Sequence, residues 1–240
     1  MRVAVVIPTL NEADRIGPLL ERLAAFDEVV VADGGSTDRT AELAARSARV
    51  VTAPRGRGLQ LNAGARATSA ELLLFLHADT TPPSNAAQLI RTALRKPAVA
   101  GGAFRAGFGG GGPVMRLAAW CTRFDTGLTT FGDQAFFTRR ADFEAVGGFP
   151  DWPFLEDVEL RRRLKRRGRF VKVPAAVRTS ARRFRAEGVL RRFALNALIL
   201  LLHRLGASPE RLARWYRPAH SPQCPGPTRT PSLDGAETAT

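Results

Sequence analysis

Cysteine is scarce: Cys121 and Cys224 are the only two in 240 residues, and neither belongs to a C-x-x-C pair. No disulfide framework can be built from them, and the chain reads as the product of a reducing, cytoplasmic setting. Tyrosine occurs once, which together with the lack of a recognisable base-reading motif argues against nucleic acid as a partner. Lysine supplies only three of the 36 basic residues, so part of the basic character reflects a general preference for arginine. No long apolar run is present. The strongest, Phe193–Leu202, is about half the length that spans a bilayer, which excludes a transmembrane helix there. The N-terminus opens on Val3–Ile7 after a single Arg2, with no cleavage-site pattern, so no signal peptide is expected.

What is present is a chain long enough for one sizeable core, with an ordinary apolar fraction of 45%. The net charge of +14 points to an anionic partner. Its distribution is uneven. Met1–Glu159 carries 17 basic against 18 acidic side chains, whereas Arg161–Arg192 alone carries 14 basic residues and one acid, Glu187. That basic stretch reads either as a solvated helical face or as an anion-facing surface. Arg191 and Arg192 ahead of Phe193–Leu202, with His203 and Arg204 behind, are compatible with a helix lying on anionic lipid; a core or dimer-interface helix is the plainer alternative.

Strand-like runs alternate with amphipathic stretches through residues 1–100. Val3–Ile7, Glu28–Ala32, Arg49–Thr52 and Glu71–Leu76 are the strands, and the rhythm predicts βαβ units in a mostly parallel central sheet flanked by helices, an α/β fold. Asn11 is placed to cap a first helix carrying Ile16, Leu19, Leu20 and Leu23, and Ser36 a second through Leu43. Further helices are expected at Asn62–Thr68, Ser84–Arg95, Pro113–Phe124, 156–167 and Gly188–Leu205, with a helical turn at Pro209–Arg214. Val99–Phe108, Gln134–Thr138, Phe170–Val173 and Ala176–Thr179 read as strands, and Gly109–Gly112 as a flexible loop. One domain is expected over 1–217, with a nucleotide-binding half at 1–100, an acceptor half at 101–180 and C-terminal helices at 187–217. Residues 218–240, rich in Pro, Thr, Ser and Gly, cannot bury enough surface to offset their ordering entropy and are expected to be disordered.

Carboxylates and small residues gather where strands give way to helices: Pro8-Thr9-Leu10-Asn11-Glu12, Asp33-Gly34-Gly35-Ser36-Thr37-Asp38, His77-Ala78-Asp79 and Glu156-Asp157. In an open α/β sheet that edge is where ligands sit. Taken singly, each segment has a plainer reading as a helix cap, an Asx turn or a charged first turn. The loop Arg55–Gly64 mixes cations, glycines and amides ahead of a helix, as a diphosphate site would, although such loops are also ordinary solvated turns.

Their order along the chain, completed by Asn62-Ala63-Gly64-Ala65 and Gly132-Asp133-Gln134, resembles the family 2 glycosyltransferases of the GT-A fold, over residues 1 to about 217. It looks closest to a small bacterial subgroup of radical-SAM/selenodomain-associated transferases. The resemblance implies a Rossmann-like nucleotide-diphospho-sugar fold with a C-terminal helical extension. It implies a donor site formed by Pro8, Thr9, Glu12, Asp33, Gly35, Arg57, Asn62, His77, Ala78 and Asp79, and an acceptor site at Asp133, Gln134 and Glu156. His77-Ala78-Asp79 stands where the family carries Asp-x-Asp, so Asp79 is the expected ligand of a divalent metal, Mg²⁺ or Mn²⁺, with His77 on the ribose or a water. Asp157 is the expected general base of an inverting transfer from a nucleoside diphosphate sugar, UDP-linked by family habit, to an unidentified acceptor that includes lipid-linked candidates. The competing readings are nucleotidyl transfer, which usually opens with a phosphate loop that Pro8–Glu12 lacks, and a basic lipid- or nucleic-acid-binding module.

Overall fold

The computed structural model describes residues 1–108, 112–127, 129–179 and 189–215. Of the loop expected at Gly109–Gly112, residues 109–111 lie outside the described residues and Gly112 begins a helix; the junction 180–188 and the tail 218–240 also lie outside them. In chain order the elements are β1 (Val3–Thr9), α1 (Ala13–Glu21), β2 (Glu28–Asp33), α2 (Thr40–Ala44), β3 (Arg49–Thr52), α3 (Arg57–Arg66), β4 (Leu72–Phe75), β5 (Thr80–Thr81) and α4 (Ala86–Leu94). There follow β6 (Val99–Phe108), α5 (Gly112–Cys121), a 3-10 turn at Gly132–Gln134, β7 (Phe136–Arg139), α6 (Arg140–Ala145), α7 (Glu156–Arg167), β8 (Arg169–Thr179), α8 (Val189–Arg204) and α9 (Pro209–Trp215).

The strands form one eight-stranded sheet in the order β3-β2-β1-β4-β7-β6-β8-β5. β1 to β4 are parallel, β7 is reversed between β4 and β6, and β5 runs against β8. β4 and the Val3–Ile7 stretch of β1 are apolar throughout because both sheet faces are covered there. In β1, Val3, Val5 and Ile7 meet Ile16, Leu19 and Leu20 of α1 and Ile90 of α4 on one face. Ala4 and Val6 meet Leu61 and Ala65 of α3, Phe143 of α6, and Leu160 and Leu164 of α7 on the other. Each such fully buried aliphatic contributes about 1.5–3 kcal/mol. α3 approaches β1 closely: a Cβ on Gly64 would lie 2.4 Å from Cγ1 of Val6. A third cluster joins Ile199 and Leu200 of α8 and Leu212 of α9 to Leu155, with Phe131 and Phe154 alongside.

Several local expectations are corrected. Asn11 does not cap α1. It adopts φ +55°, its side-chain Oδ1 accepts from the N–H of Thr37 at 2.8 Å, and Glu12 takes the capping position. Ser36 instead serves Asp33, while the Asp38 carboxylate accepts from Thr40 N–H at the start of α2. α3 begins at Arg57, five residues before Asn62, because the glycines that look like a loop sit at a tight contact: a Cβ on Gly58 would be 2.7 Å from the Pro150 carbonyl. β8 is one strand whose pairing with β6 shifts between Ala103 and Arg105, across from Pro174, which has no N–H to donate. Gln134 ends a 3-10 turn and the strand starts at Phe136.

Candidate active site

β4 and β7 are antiparallel, with Phe75 opposite Phe136. That register puts the segment leaving β4, His77-Ala78-Asp79, across from the segment entering β7, Gly132-Asp133-Gln134. The N-termini of α3 and α7 arrive at the same edge and bring Arg57, Glu156 and Asp157. The result is a depression lined by Arg57, His77, Gly132, Phe149, Glu156 and Asp157 above the rings of Phe75 and Phe136.

The charges in it are tightly arranged. Arg57 Nε bonds to Oε1 of Glu156, a carboxylate only 1% exposed. Burial works against the Arg57 charge, but Glu156, Asp157 and Asp133 outweigh it and hold the guanidinium above its ordinary value. Asp157 Oδ2 accepts the N–H of Gly132 at 2.5 Å and Oδ1 accepts the N–H of Val158 at 2.8 Å, so the carboxylate is fixed between the 3-10 turn and its own helix. Asp133 differs: its Oδ1 is buried with no hydrogen-bond partner among the described residues. Burial pushes its carboxyl up to about 6, with Asp157 and Asp79 pushing the same way against Lys172 and Arg57. Asp79 is exposed, while Ala78 is buried.

The loops after β1 and β2 form the adjoining wall. Asp33, 5% exposed, accepts from Thr9 Oγ1 at 3.1 Å, Gly35 N–H at 3.0 Å, Ser36 N–H at 2.8 Å and Ser36 Oγ at 2.5 Å. Its carboxylate thus organises the turn, in which Gly35 takes φ +83°. Glu12 pairs with Arg15, and its backbone N–H donates to Thr40 Oγ1 at 2.8 Å, which stitches the two loops together. Pro8 lies beside Ala32 in the β1–β2 ladder. Two expected site residues spend their side chains elsewhere. Asn62 brackets the backbone of Phe149, donating to its carbonyl at 2.9 Å and accepting from its N–H at 3.0 Å. Gln134, 2% exposed, donates to the Thr129 carbonyl at 2.6 Å and accepts from Lys172 Nζ. Among the described residues the non-glycine positive-φ positions are Asn11, Ala135 and Leu155, and each lies in a loop of this edge. Such conformations cost about 1–3 kcal/mol each and persist where the surroundings impose them.

The sequence profile of Glycosyl transferase family 2 matches residues 4–148, more than half of the chain. The chain belongs to glycosyl transferase family 2. Among curated family relatives, an uncharacterised glycosyltransferase of Mycobacterium tuberculosis is 39% identical over 79 residues, 32% of this chain and 36% of that one. Glucosyl-3-phosphoglycerate synthase of Mycolicibacterium smegmatis is 29% identical over 49% of this chain and 48% of its own. The chain therefore spans about a third to a half of the length of these relatives. Among solved structures, the Mycobacterium tuberculosis glucosyl-3-phosphoglycerate synthase in complex with Mn²⁺, UDP and glucosyl-3-phosphoglycerate aligns with a TM-score of 0.61 at 23% identity, covering 86% of this chain and 81% of that one. A mannosyltransferase from Pyrobaculum calidifontis with GDP-mannose and Mn²⁺ aligns with a TM-score of 0.64 at 20% identity, covering 89% and 67%. The expected GT-A architecture is the one found.

In this family 2 glycosyltransferase the expected site residues do not include Lys172, which lies against one of them, Gln134. Its ammonium, on β8, reaches the Phe104 carbonyl at 3.3 Å as well as Gln134. Burial pushes it down to about 7, against the pull of Asp125 and Asp133. The available signal was its rarity in an arginine-preferring chain. The basic run at the start of this stretch is largely consumed internally: Arg161 and Lys165 bind Asp125, Arg162 and Arg163 bind Glu159, and Arg167 binds Asp142. That part of the run is therefore not a free anion-facing surface.

Proposed function

We propose that this glycosyltransferase moves a sugar from a nucleoside diphosphate sugar, UDP-linked, to an acceptor hydroxyl with inversion, and that Asp157 is the general base. The observation that carries the reading is the meeting, in one depression, of Arg57 on a helix N-terminus with a buried helix-borne carboxylate, Asp157, fixed by two N–H donors. UDP with Mn²⁺ in one structural neighbour and GDP-mannose with Mn²⁺ in another supports a donor of this class. The narrower kinship with radical-SAM/selenodomain-associated transferases belongs to the same proposal and rests on motif wording.

In this reading the turns held by Asp33 and Glu12, with Pro8, Thr9 and Gly35, enclose the nucleoside. Arg57 meets the diphosphate at the N-terminus of α3, where anions are favoured. To do so it leaves Glu156, which then becomes available to the acceptor. Asp79, exposed at the end of β4, offers hard oxygen donors of the kind Mg²⁺ and Mn²⁺ take. Among the described residues no group of three or more His, Cys, Asp and Glu side chains forms a metal cage. The donor set fits an ion shared with phosphate oxygens, which would supply charge neutralisation on the leaving diphosphate. Asp157 takes the acceptor proton as its oxygen attacks the anomeric carbon and the sugar–phosphate bond breaks.

A second base candidate follows from Asp133, whose Oδ1 is unpartnered and whose carboxyl sits at about 6. The two are separated by Asp157→Asn and Asp133→Asn, measured for transfer and for UDP affinity. If Asp157 is the base, Asp157→Asn loses about 10²–10⁴-fold in kcat with UDP affinity retained. If Asp133 is the base, that loss falls on Asp133→Asn instead, and the wild-type rate rises with pH through about 6, because a base acts only when ionised.

A further inference from the structure

From Ala194 onward α8 carries apolar side chains on two sides, one packed and the other exposed. Ile199 and Leu200 are buried against Leu155 and Leu212, whereas Ala194, Ala197, Leu198, Leu201 and Leu205 face outward, with Leu201 54% and Leu205 75% exposed. These positions recur at helical spacing and are bounded by the exposed Arg191 and Arg204. α5 and the turn after it carry a second stripe, Leu117, Trp120 and Phe124, all exposed, with the Arg123 guanidinium 5.0 Å from the Trp120 ring centroid. The chain leaving α5 runs past the end of α8, where a Cβ on Gly127 would lie 2.4 Å from the Arg204 guanidinium. Trp215, at the end of α9, is 70% exposed.

We infer that the outer face of α8, together with α5 and Trp215, docks on an anionic bilayer surface. Charge decides the occupant. Residues 112–124 and 189–215 contain seven arginines and a single acid, Glu210. A second copy would bring like charge against like charge across an isologous contact. A nucleic acid would leave the aliphatic stripe unmatched. Anionic headgroups answer the arginines while the acyl boundary takes the leucines, and tryptophan prefers that boundary. At 16 residues α8 is about 24 Å long and lies along the surface rather than across it. Because Phe131 and Phe154 pack against α8 beside Gly132 and Glu156, docking holds the acceptor side of the cleft next to the lipid surface.

The test is flotation of the full chain with vesicles of phosphatidylglycerol and phosphatidylcholine, and with phosphatidylcholine alone. Retention is expected on the anionic vesicles, at least tenfold weaker on the neutral ones and in 1 M salt, as a screened headgroup attraction requires (Debye length about 3 Å at 1 M). Leu201→Glu/Leu205→Glu and Arg191→Gln/Arg204→Gln should each lower retention about tenfold or more while UDP still raises the melting temperature as in wild type. Failure of anionic vesicles to retain the intact chain overturns the inference, as does full retention of the Leu201→Glu/Leu205→Glu variant. A lipid-free dimer dissociated by Leu201→Glu, without vesicle binding, assigns the face to a second copy and likewise overturns it. Hydrolysis of UDP-sugar in solution is read separately, so loss of the catalytic reading and loss of the docking surface give different results.

Discussion

Asp133 carries an electrostatic cost of burial. Its carboxyl, raised from 3.8 to about 6 by burial and by the charge on Asp157, binds its proton more tightly in the folded chain than in the unfolded one. Between those values the folded state carries more protons, so stability falls as pH rises through that window, and the penalty is complete above it. Lys172 does not interfere there, because with its ammonium lowered to about 7 it stays largely charged in both states below pH 6. Asp133→Asn is therefore expected to gain about 1–3 kcal/mol at pH 8 and nothing at pH 3.5, measured by urea denaturation at both. Equal gains at the two values would refute the assignment. If Asp79 holds the metal as proposed, Asp79→Ala should raise the Mn²⁺ concentration for half-maximal transfer at least tenfold, since among the described residues no group of three or more His, Cys, Asp and Glu could hold the ion instead. Unchanged metal dependence would remove Asp79 from that role. These residues were recognisable in sequence only by motif order. The structure adds that Asp33 organises its turn and that Asn62 brackets the backbone of Phe149.

At the scale of elements, legibility followed burial. Val3–Ile7 of β1 and all of β4 are apolar because helices cover both faces, and such a run is legible in sequence. α3 was shortened because Gly56 and Gly58 read as a loop; only the close approach to the Pro150 carbonyl explains a glycine inside its first turn. Phe170–Val173 and Ala176–Thr179, which read as two strands, are one, and Pro174 between them coincides with a shift in pairing rather than a break. α3 is also where packing reaches the site, since Gly64 lets it lie on Val6 while Arg57 leads its first turn. Gly64→Ala should cost about 1–3 kcal/mol in thermal denaturation, because the helix must back away from β1. It should also weaken UDP binding by displacing Arg57. A variant as stable as wild type would mean that the contact relaxes without helix movement.

At the scale of the whole molecule, the reversed β7 is the decisive feature. It brings residues 132–134 beside 77–79, and α7 then adds Asp157 to the same edge. A chain organised around a donor cleft should be stabilised by nucleotide. Saturation at about 100 times Kd adds about 2.7 kcal/mol to folding stability. A melting-temperature panel of UDP, GDP and dTDP, with and without Mn²⁺, is expected to give its largest shift with UDP and Mn²⁺ together. A larger shift with GDP would reassign the donor nucleotide, and no shift with any nucleotide would sink the donor proposal.

The sequence by itself determined the alternation of strands and helices, the strand-end loops and the family to which their order belongs, because periodicity and capping are local properties of the chain. Tertiary structure decided which of those residues share the cleft and in what state. Arg57 meets Glu156 across 99 positions of sequence, Lys172 meets Gln134 across 38, and Asp133 is left with a buried, unpartnered oxygen. Contacts of that span depend on strand order and on solvent exclusion, and neither leaves a periodic trace in the order of amino acids.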